Sequence, residues 1–285
     1  MTENNMVLNR FFTQRIFSNL LDNKPTSIYN NCVEKYVSSE LKTAISNKDI
    51  ISEVYKYMNK EYRNEYFYKN TLLNKLLLGR HSLKTTTALS EVPISRSKAD
   101  FVLINGKAVV YEIKTELDSF DRLSSQLADY YKAFDHVTVV TSENNYAKVT
   151  ELLKDTNVGI SILTRRNTIS LRKEPVQDRG NLESIAMFKV LRKAEYEEII
   201  MDYYGELPET NQFSYYKECF ECFKQIPINH SYEAMLVRLK KRARVQIEAY
   251  DDIVPYELKS LAYFSKYTKE DYTKLDSFLK HNWEE

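Results

Sequence analysis

The feature that most constrains this chain is a pair of short apolar runs with charges at their ends. Asp100 opens the run Phe101-Val102-Leu103-Ile104. After Asn105-Gly106, the run Ala108-Val109-Val110-Tyr111 leads straight into Glu112-Ile113-Lys114. Apolar runs of this length on either side of an Asn-Gly turn read as two strands of a hairpin. Two carboxylates and a lysine at the ends of strands bound for a core cost several kcal/mol per ion unless they pair or ligate a cation. The fold must therefore bring these charges together.

Register decides whether they meet, because a one-residue slip turns every side chain of a strand over. A two-residue Asn105-Gly106 turn sets Asp100 opposite Tyr111 and leaves Glu112 on the other face. A three-residue loop, Ile104-Asn105-Gly106 with Gly106 left-handed in a bulge, sets Asp100 opposite Val110 instead. Glu112 is then its diagonal neighbour on the same face, and Lys114 follows. The bulged turn is the expectation, since it alone of the two lets the carboxylates share a metal. In that arrangement Asp100 and Glu112 are hard oxygen ligands for Mg²⁺ or Mn²⁺, completed by the backbone carbonyl of Ile113. Lys114 would position a water or stabilise developing charge. Glu91, on the preceding apolar run, is a third carboxylate for the same site. The bland alternative is a buried ion pair between Lys114 and one acid.

The rest of the chain frames this hairpin. Residues 1 to about 85 carry helical spacing, as in Leu8, Phe11, Phe12, Ile16 and Leu20. The period then changes, and 88–94, 99–104, 108–114, 137–140, 158–163 and 169–172 read as strands. A helix capped by Asp118 or Ser119 is expected to run to about Phe134, and another spans 146–153. Helical spacing returns from about Asn181 to the C-terminus. The expectation is thus an α/β core over 86–175, its mixed sheet covered by helices, between a helical N-terminal region (1–85) and a helical C-terminal domain (181–285).

Composition excludes little. With 41 Lys+Arg against 40 Asp+Glu, the net charge of +1 offers no bulk attraction for nucleic acid, so any basic surface is local. Cys32, Cys219 and Cys222 are too few for a disulfide framework and suit a reducing, cytoplasmic setting. No run approaches the roughly 18 apolar residues that span a bilayer, and no signal peptide is recognisable, so no membrane partner is expected.

Asp100 followed by Glu112-Ile113-Lys114 resembles the D…(D/E)-x-K signature of the PD-(D/E)XK nuclease superfamily. The element order over roughly 70–142 is similar to that of its restriction-endonuclease-like core. Gln126-Leu127-Ala128-Asp129-Tyr130 resembles the Q-x-x-x-Y motif of its RecB-like and Cas4-like members. The longer run from Asp118 through Asp135 is similar to a bacterial and phage family of that superfamily whose activity is unassigned. Ala99 stands where the name-giving Pro would be, and Glu91 where a RecB-type upstream His is expected. The resemblance implies a Mg²⁺- or Mn²⁺-dependent deoxyribonuclease with Asp100, Glu112 and Lys114 at its centre, in phage defence, mobile-element or DNA-repair work. The rival expectation is a catalytically silent nucleic-acid-binding or protein-interaction module on the same fold. A homo-oligomer, or a partner subunit in a defence system, is compatible with either.

Outside the acids, Arg122, Gln126 and Tyr130 recur at i, i+4 and i+8, a stripe along one helix flank that could hold a nucleotide or phosphate. Arg238, Lys241 and Arg242 lie in a basic run that reads either as a phosphate-tracking face or as an ordinary solvated one. Cys219-x-x-Cys222 has zinc spacing but no paired second half, and it reads as helix core.

Overall fold

A computed structural model of the chain describes residues 5–24, 26–38, 45–242 and 245–283. Two compact units emerge, one formed by Met1–Leu83 with Arg244–Glu285, the other by Lys84–Ala243. The helical stretch expected over 181–285 is therefore divided. Its residues to 243 cluster with the sheet, and those from 244 cluster with the N-terminal helices.

The first unit is helical. It contains α1 (Leu8–Phe11), α2 (Gln14–Leu21), α3 (Ser27–Tyr36), α4 (Asn47–Glu61) and α5 (Glu65–Leu72), which runs on into a π-helical stretch at Leu73–Leu78. Side chains of Thr26, Ser46 and Asn64 cap α3, α4 and α5 by accepting an N–H of the first turn, which supplies one of the four partners such a helix end lacks.

The second unit holds six strands, β1 (Thr87–Ile94), β2 (Ser97–Asn105), β3 (Lys107–Lys114), β4 (Val137–Ser142), β5 (Gly159–Leu163) and β6 (Ile169–Lys173). They form one mixed sheet in the order β1-β2-β3-β4-β5-β6. The pairs β1/β2, β2/β3 and β5/β6 are antiparallel, and β3/β4 and β4/β5 are parallel. Parallel neighbours need a crossover, which α6 (Leu123–Tyr131) and α7 (Tyr146–Leu152) provide. Four helices follow, α8 (Ser184–Val190), α9 (Lys193–Tyr204), α10 (Tyr215–Gln225) and α11 (Ile228–Lys240). The α/β expectation holds at this level, a mixed sheet flanked by helices. Val102, Ile104, Ala108 and Val110 share a core with Leu127 and Tyr130 of α6 and with residues of α8 to α11. Phe101, Leu103 and Ile113, of opposite parity, are buried as well. Burial on both faces accounts for the near-continuous apolar runs. In the remaining chain α12 (Ile247–Ile253), α13 (Lys259–Ser265) and α14 (Lys269–Lys280) complete the first unit. Among the described residues no helix is long and apolar enough to cross a membrane.

Two local expectations are corrected. The β2/β3 register runs from Asn105↔Lys107 to Phe101↔Tyr111, so Gly106 alone reverses the chain, at φ 73. This turn is tighter than the bulged loop and moves the register by two residues. Parity is kept, and Asp100 comes level with Glu112 instead of Val110. The helix after β3 begins at Leu123, not at Asp118 or Ser119. The Asp118 carboxylate is already taken by the Thr115 N–H (2.8 Å) and hydroxyl (2.7 Å), which closes a turn directly after the strand.

A side chain at residue 106 would meet no atom within 4 Å, so its cost is purely conformational. Gly106→Ala is expected to lower unfolding free energy by about 1–2 kcal/mol in urea titration with an unchanged slope, and Gly106→Asn by less.

Candidate functional site

The acids gather where the sheet opens. The β2/β3 ladder ends at Phe101↔Tyr111, while β3 continues beside β4 to Lys114↔Thr141. The Val110 N–H bonds across to the β4 side, at the His136 carbonyl. Alternation then aims the N–H of Ile113 back toward β2, whose backbone has left the ladder. The Asp100 side chain fills the gap, and its Oδ2 accepts that N–H at 2.8 Å. Ile113 thus meets the site through its amide N–H, where its carbonyl was the expected contributor.

Glu91 extends the row. The β1/β2 register, Ser90↔Phe101 and Val92↔Ala99, places Glu91 level with Asp100. Carboxylate oxygens of the two lie within 4.8 Å of one another. Three acids on three adjacent strands therefore stand in line: Glu91, Asp100 and Glu112. Glu91 adopts φ 55 in the middle of the edge strand β1, a conformation that costs a side-chain-bearing residue about 1–2 kcal/mol. Lys98 pairs with it at 2.9 Å.

Glu112 is the buried member, 1% exposed. Its Oε2 lies 2.6 Å from the Tyr130 hydroxyl and its Oε1 lies 3.1 Å from Lys114 Nζ. Lys114, itself buried, donates to Gln126 Oε1 at 2.9 Å. Burial pushes the Glu112 carboxyl above its ordinary value, and the contacts from Tyr130, Lys114 and Gln126 only partly oppose this. Burial and the neighbouring Glu112 likewise raise the Tyr130 phenol. The Tyr130 hydroxyl also lies 2.9 Å from the Lys98 carbonyl oxygen. It has one proton for two acceptors, so a protonated Glu112 can donate to Tyr130 while Tyr130 donates to Lys98.

Helix α6 holds this arrangement from one side, through residues that share a face at i, i+3 and i+4. Gln126 and Tyr130 reach β3. Asp129 Oδ2, between them, accepts the Arg96 N–H (3.2 Å) and the Ser97 hydroxyl (2.8 Å) at the β1–β2 turn. Burial opposes its charge, but those bonds and Lys132 outweigh it and hold the carboxyl below the usual range. Sequence reasoning named Gln126 and Tyr130 but missed Asp129, although the same helical spacing marks it.

The other expected binding residues are placed elsewhere. Arg122 sits exposed at the N-cap of α6. Arg238 pairs with Glu198 (3.1 Å) and Asp202, and Arg242 with Glu195 and the Val190 carbonyl. Their side chains are largely covered and tie the C-terminal end of α11 and the residues just after it to α8 and α9; Lys241 is exposed. Cys219 and Cys222 are free thiols, Cys219 within the core.

A buried network went unread altogether. Asp135 accepts from Tyr232 (2.5 Å), His136 (2.8 Å), Gln177 (2.9 Å) and Arg179 (2.9 Å). Burial disfavours its charge, yet these four donors hold the carboxyl below the usual range. The network joins the start of β4 to α11, and its members lie too far apart in sequence for any local signal.

The family model described as Bacteriophage P4 protein cII matches residues 58–261. Protein cII of Enterobacteria phage P4 is 24% identical over 166 residues, which cover 56% of this chain and 61% of that protein. The match thus spans about three fifths of that relative's length. No solved structure matches.

The raised Glu112 carboxyl has a consequence for stability. Above the unfolded value near 4.5, the unfolded chain loses its proton first, so metal-free stability falls as pH rises from there through the folded value. Glu112→Gln removes this dependence. In EDTA, the variant should match wild type at acid pH and become the more stable of the two as pH rises to 8. Denaturant titrations across that range check it, and a variant that loses ground with rising pH would contradict the burial argument.

Proposed function

This chain belongs to the bacteriophage P4 protein cII family, and we propose that it is a metal-dependent nuclease that hydrolyses DNA phosphodiester bonds on a PD-(D/E)XK-like core. The observation that supports this reading is the alignment of Glu91, Asp100 and Glu112 on three neighbouring strands at the mouth of the sheet, with Lys114 paired to Glu112 and with Gln126 and Tyr130 of α6 against that end of β3. A bland ion pair accounts for Glu112 with Lys114, but not for the two further acids in line or for the strained backbone at Glu91. The phage source of the P4 relative agrees with a phage or mobile-element setting.

The donors fit a hard divalent cation. Asp100 is half-buried and Glu91 exposed, so both are open to solvent on one side. An ionised Glu112 carboxylate offers about four lone-pair sites, more than its contacts from Tyr130, Lys114 and Gln126 occupy. Asp100 and Glu112, with Glu91 beside them, would hold Mg²⁺ or Mn²⁺. That ion supplies an activated water and neutralises charge on the reacting phosphate.

The chain's own residues do the rest. Tyr130 fixes the Glu112 carboxylate and gives up or accepts its hydrogen bond as Glu112 loses or gains a proton. Gln126 aims the Lys114 ammonium along the face of the acids, where it can orient a water or meet a phosphate oxygen. The amide of Ile113 keeps Asp100 turned toward the row. Arg122, exposed at the start of α6, remains free to approach a DNA phosphate.

Linear, circular, single-stranded and branched DNA with Mg²⁺ or Mn²⁺ tests the reading. Glu112→Gln and Lys114→Ala should each lower cleavage by roughly 100-fold or more. In calorimetry, Glu112→Gln should also weaken metal binding, whereas Lys114→Ala, which frees Glu112 Oε1, should preserve it. Equal cleavage by a folded Glu112→Gln variant would move the active site elsewhere. Wild-type protein that binds no divalent metal and cuts no DNA form would favour the silent binding module.

A further inference from the structure

In the helical unit formed by Met1–Leu83 and Arg244–Glu285, a cleft of about 780 Å³ lies beneath Trp283. The position of this tryptophan is fixed by backbone. The Asn47 N–H donates to the His281 carbonyl and the Trp283 N–H to the Ile45 carbonyl, each at 2.9 Å, with an antiparallel bridge between Ser46 and Asn282. Phe278 forms a second aromatic wall, packed edge-on to Tyr29 with ring centres 5.9 Å apart. Buried Asn47 makes a rigid floor, accepting from the Tyr29 hydroxyl (2.6 Å) and donating to the Phe278 carbonyl (3.0 Å). Asn30 accepts from the indole N–H at 3.4 Å.

Among the described residues that line the cleft, Lys24 and Lys274 carry charge and no Asp or Glu does. Both ammonium groups converge from outside on one carboxylate, Asp22, at 3.1 Å and 3.4 Å. Lys274 also meets Glu270 at 3.1 Å. Exposed ion pairs of this kind are weak, so an anion of higher charge can take both lysines from Asp22. The volume lies within the range of small-molecule sites, roughly 300–1,000 Å³. Aromatic faces favour a planar ring, the asparagine amide at Asn30 suits its polar edge, and paired lysines suit a phosphate.

We infer that this cleft binds a mononucleotide, its base against Trp283 and Phe278 and its phosphate between Lys24 and Lys274. The inference is independent of the acid row and of any cleavage.

Trp283 is the single tryptophan of the chain, so its fluorescence reports on this cleft alone. Full-length protein in EDTA is titrated with AMP, adenosine and inorganic phosphate. AMP is expected to change the emission saturably with Kd below about 1 mM, and adenosine and phosphate alone to bind at least roughly tenfold more weakly. The Lys24→Ala/Lys274→Ala variant, altered only at side chains outside the core, should keep its Tm and lose roughly tenfold or more in AMP affinity. No saturable change up to about 10 mM AMP would overturn the proposal. So would a double variant within about twofold of wild type, or phosphate or adenosine binding as tightly as AMP.

Discussion

The Glu112 carboxylate, almost wholly removed from solvent, is the constraint around which the sheet unit is arranged. An acid so placed must find hydrogen-bond donors or keep its proton. Tyr130 and Lys114 are those donors, and each is held by something else: Tyr130 by its place on α6 and the Lys98 carbonyl, Lys114 by Gln126. One buried charge thus dictates where α6 lies over β2 and β3. Burial outweighs these contacts and holds the carboxyl above its ordinary value.

The geometry next to that acid depends on strands that part company. Were the β2/β3 ladder to continue past Phe101 and Tyr111, the Ile113 N–H would have a backbone partner and Asp100 would be free to turn away. Because the ladder stops, Asp100 is recruited as a substitute carbonyl and stays in the row. Glu91 contributes differently, through a left-handed backbone that interrupts β1 at the same level. Such strain persists only where surrounding structure over-determines it, and the Asp129 latch on the adjoining turn is part of that surrounding structure.

Around α9, α11 and Asp135, charge pairs within the fold. Arg238 and Arg242 fasten α11 to α9, and Arg179 bridges buried Asp135 and Glu233 while lying over the Tyr232 ring. A basic run in a sequence says only that cations are close together. Whether they face a ligand depends on which acids the fold sets opposite, and here α9 presents Glu195, Glu198 and Asp202 on the side that α11 meets.

Much of the sheet unit was legible in the chain itself, because strand and helix periods are local. Six apolar runs of strand length became six strands, and the i, i+3, i+4 spacing of α6 carried Gln126 and Tyr130 to the acids. Parity of the hairpin was also local, since charges on the wrong face would have been buried unpaired. What tertiary structure alone decided was the register within that parity, through a turn of Gly106 alone, and the helix start at Leu123, where Asp118 was diverted to Thr115. It alone decided the Asp135 network and the division of the C-terminal helices between two units. The network and the division depend on contacts between residues tens of positions apart, which leave no period in a sequence, whereas the turn and the Asp118–Thr115 contact are local and lie outside any period.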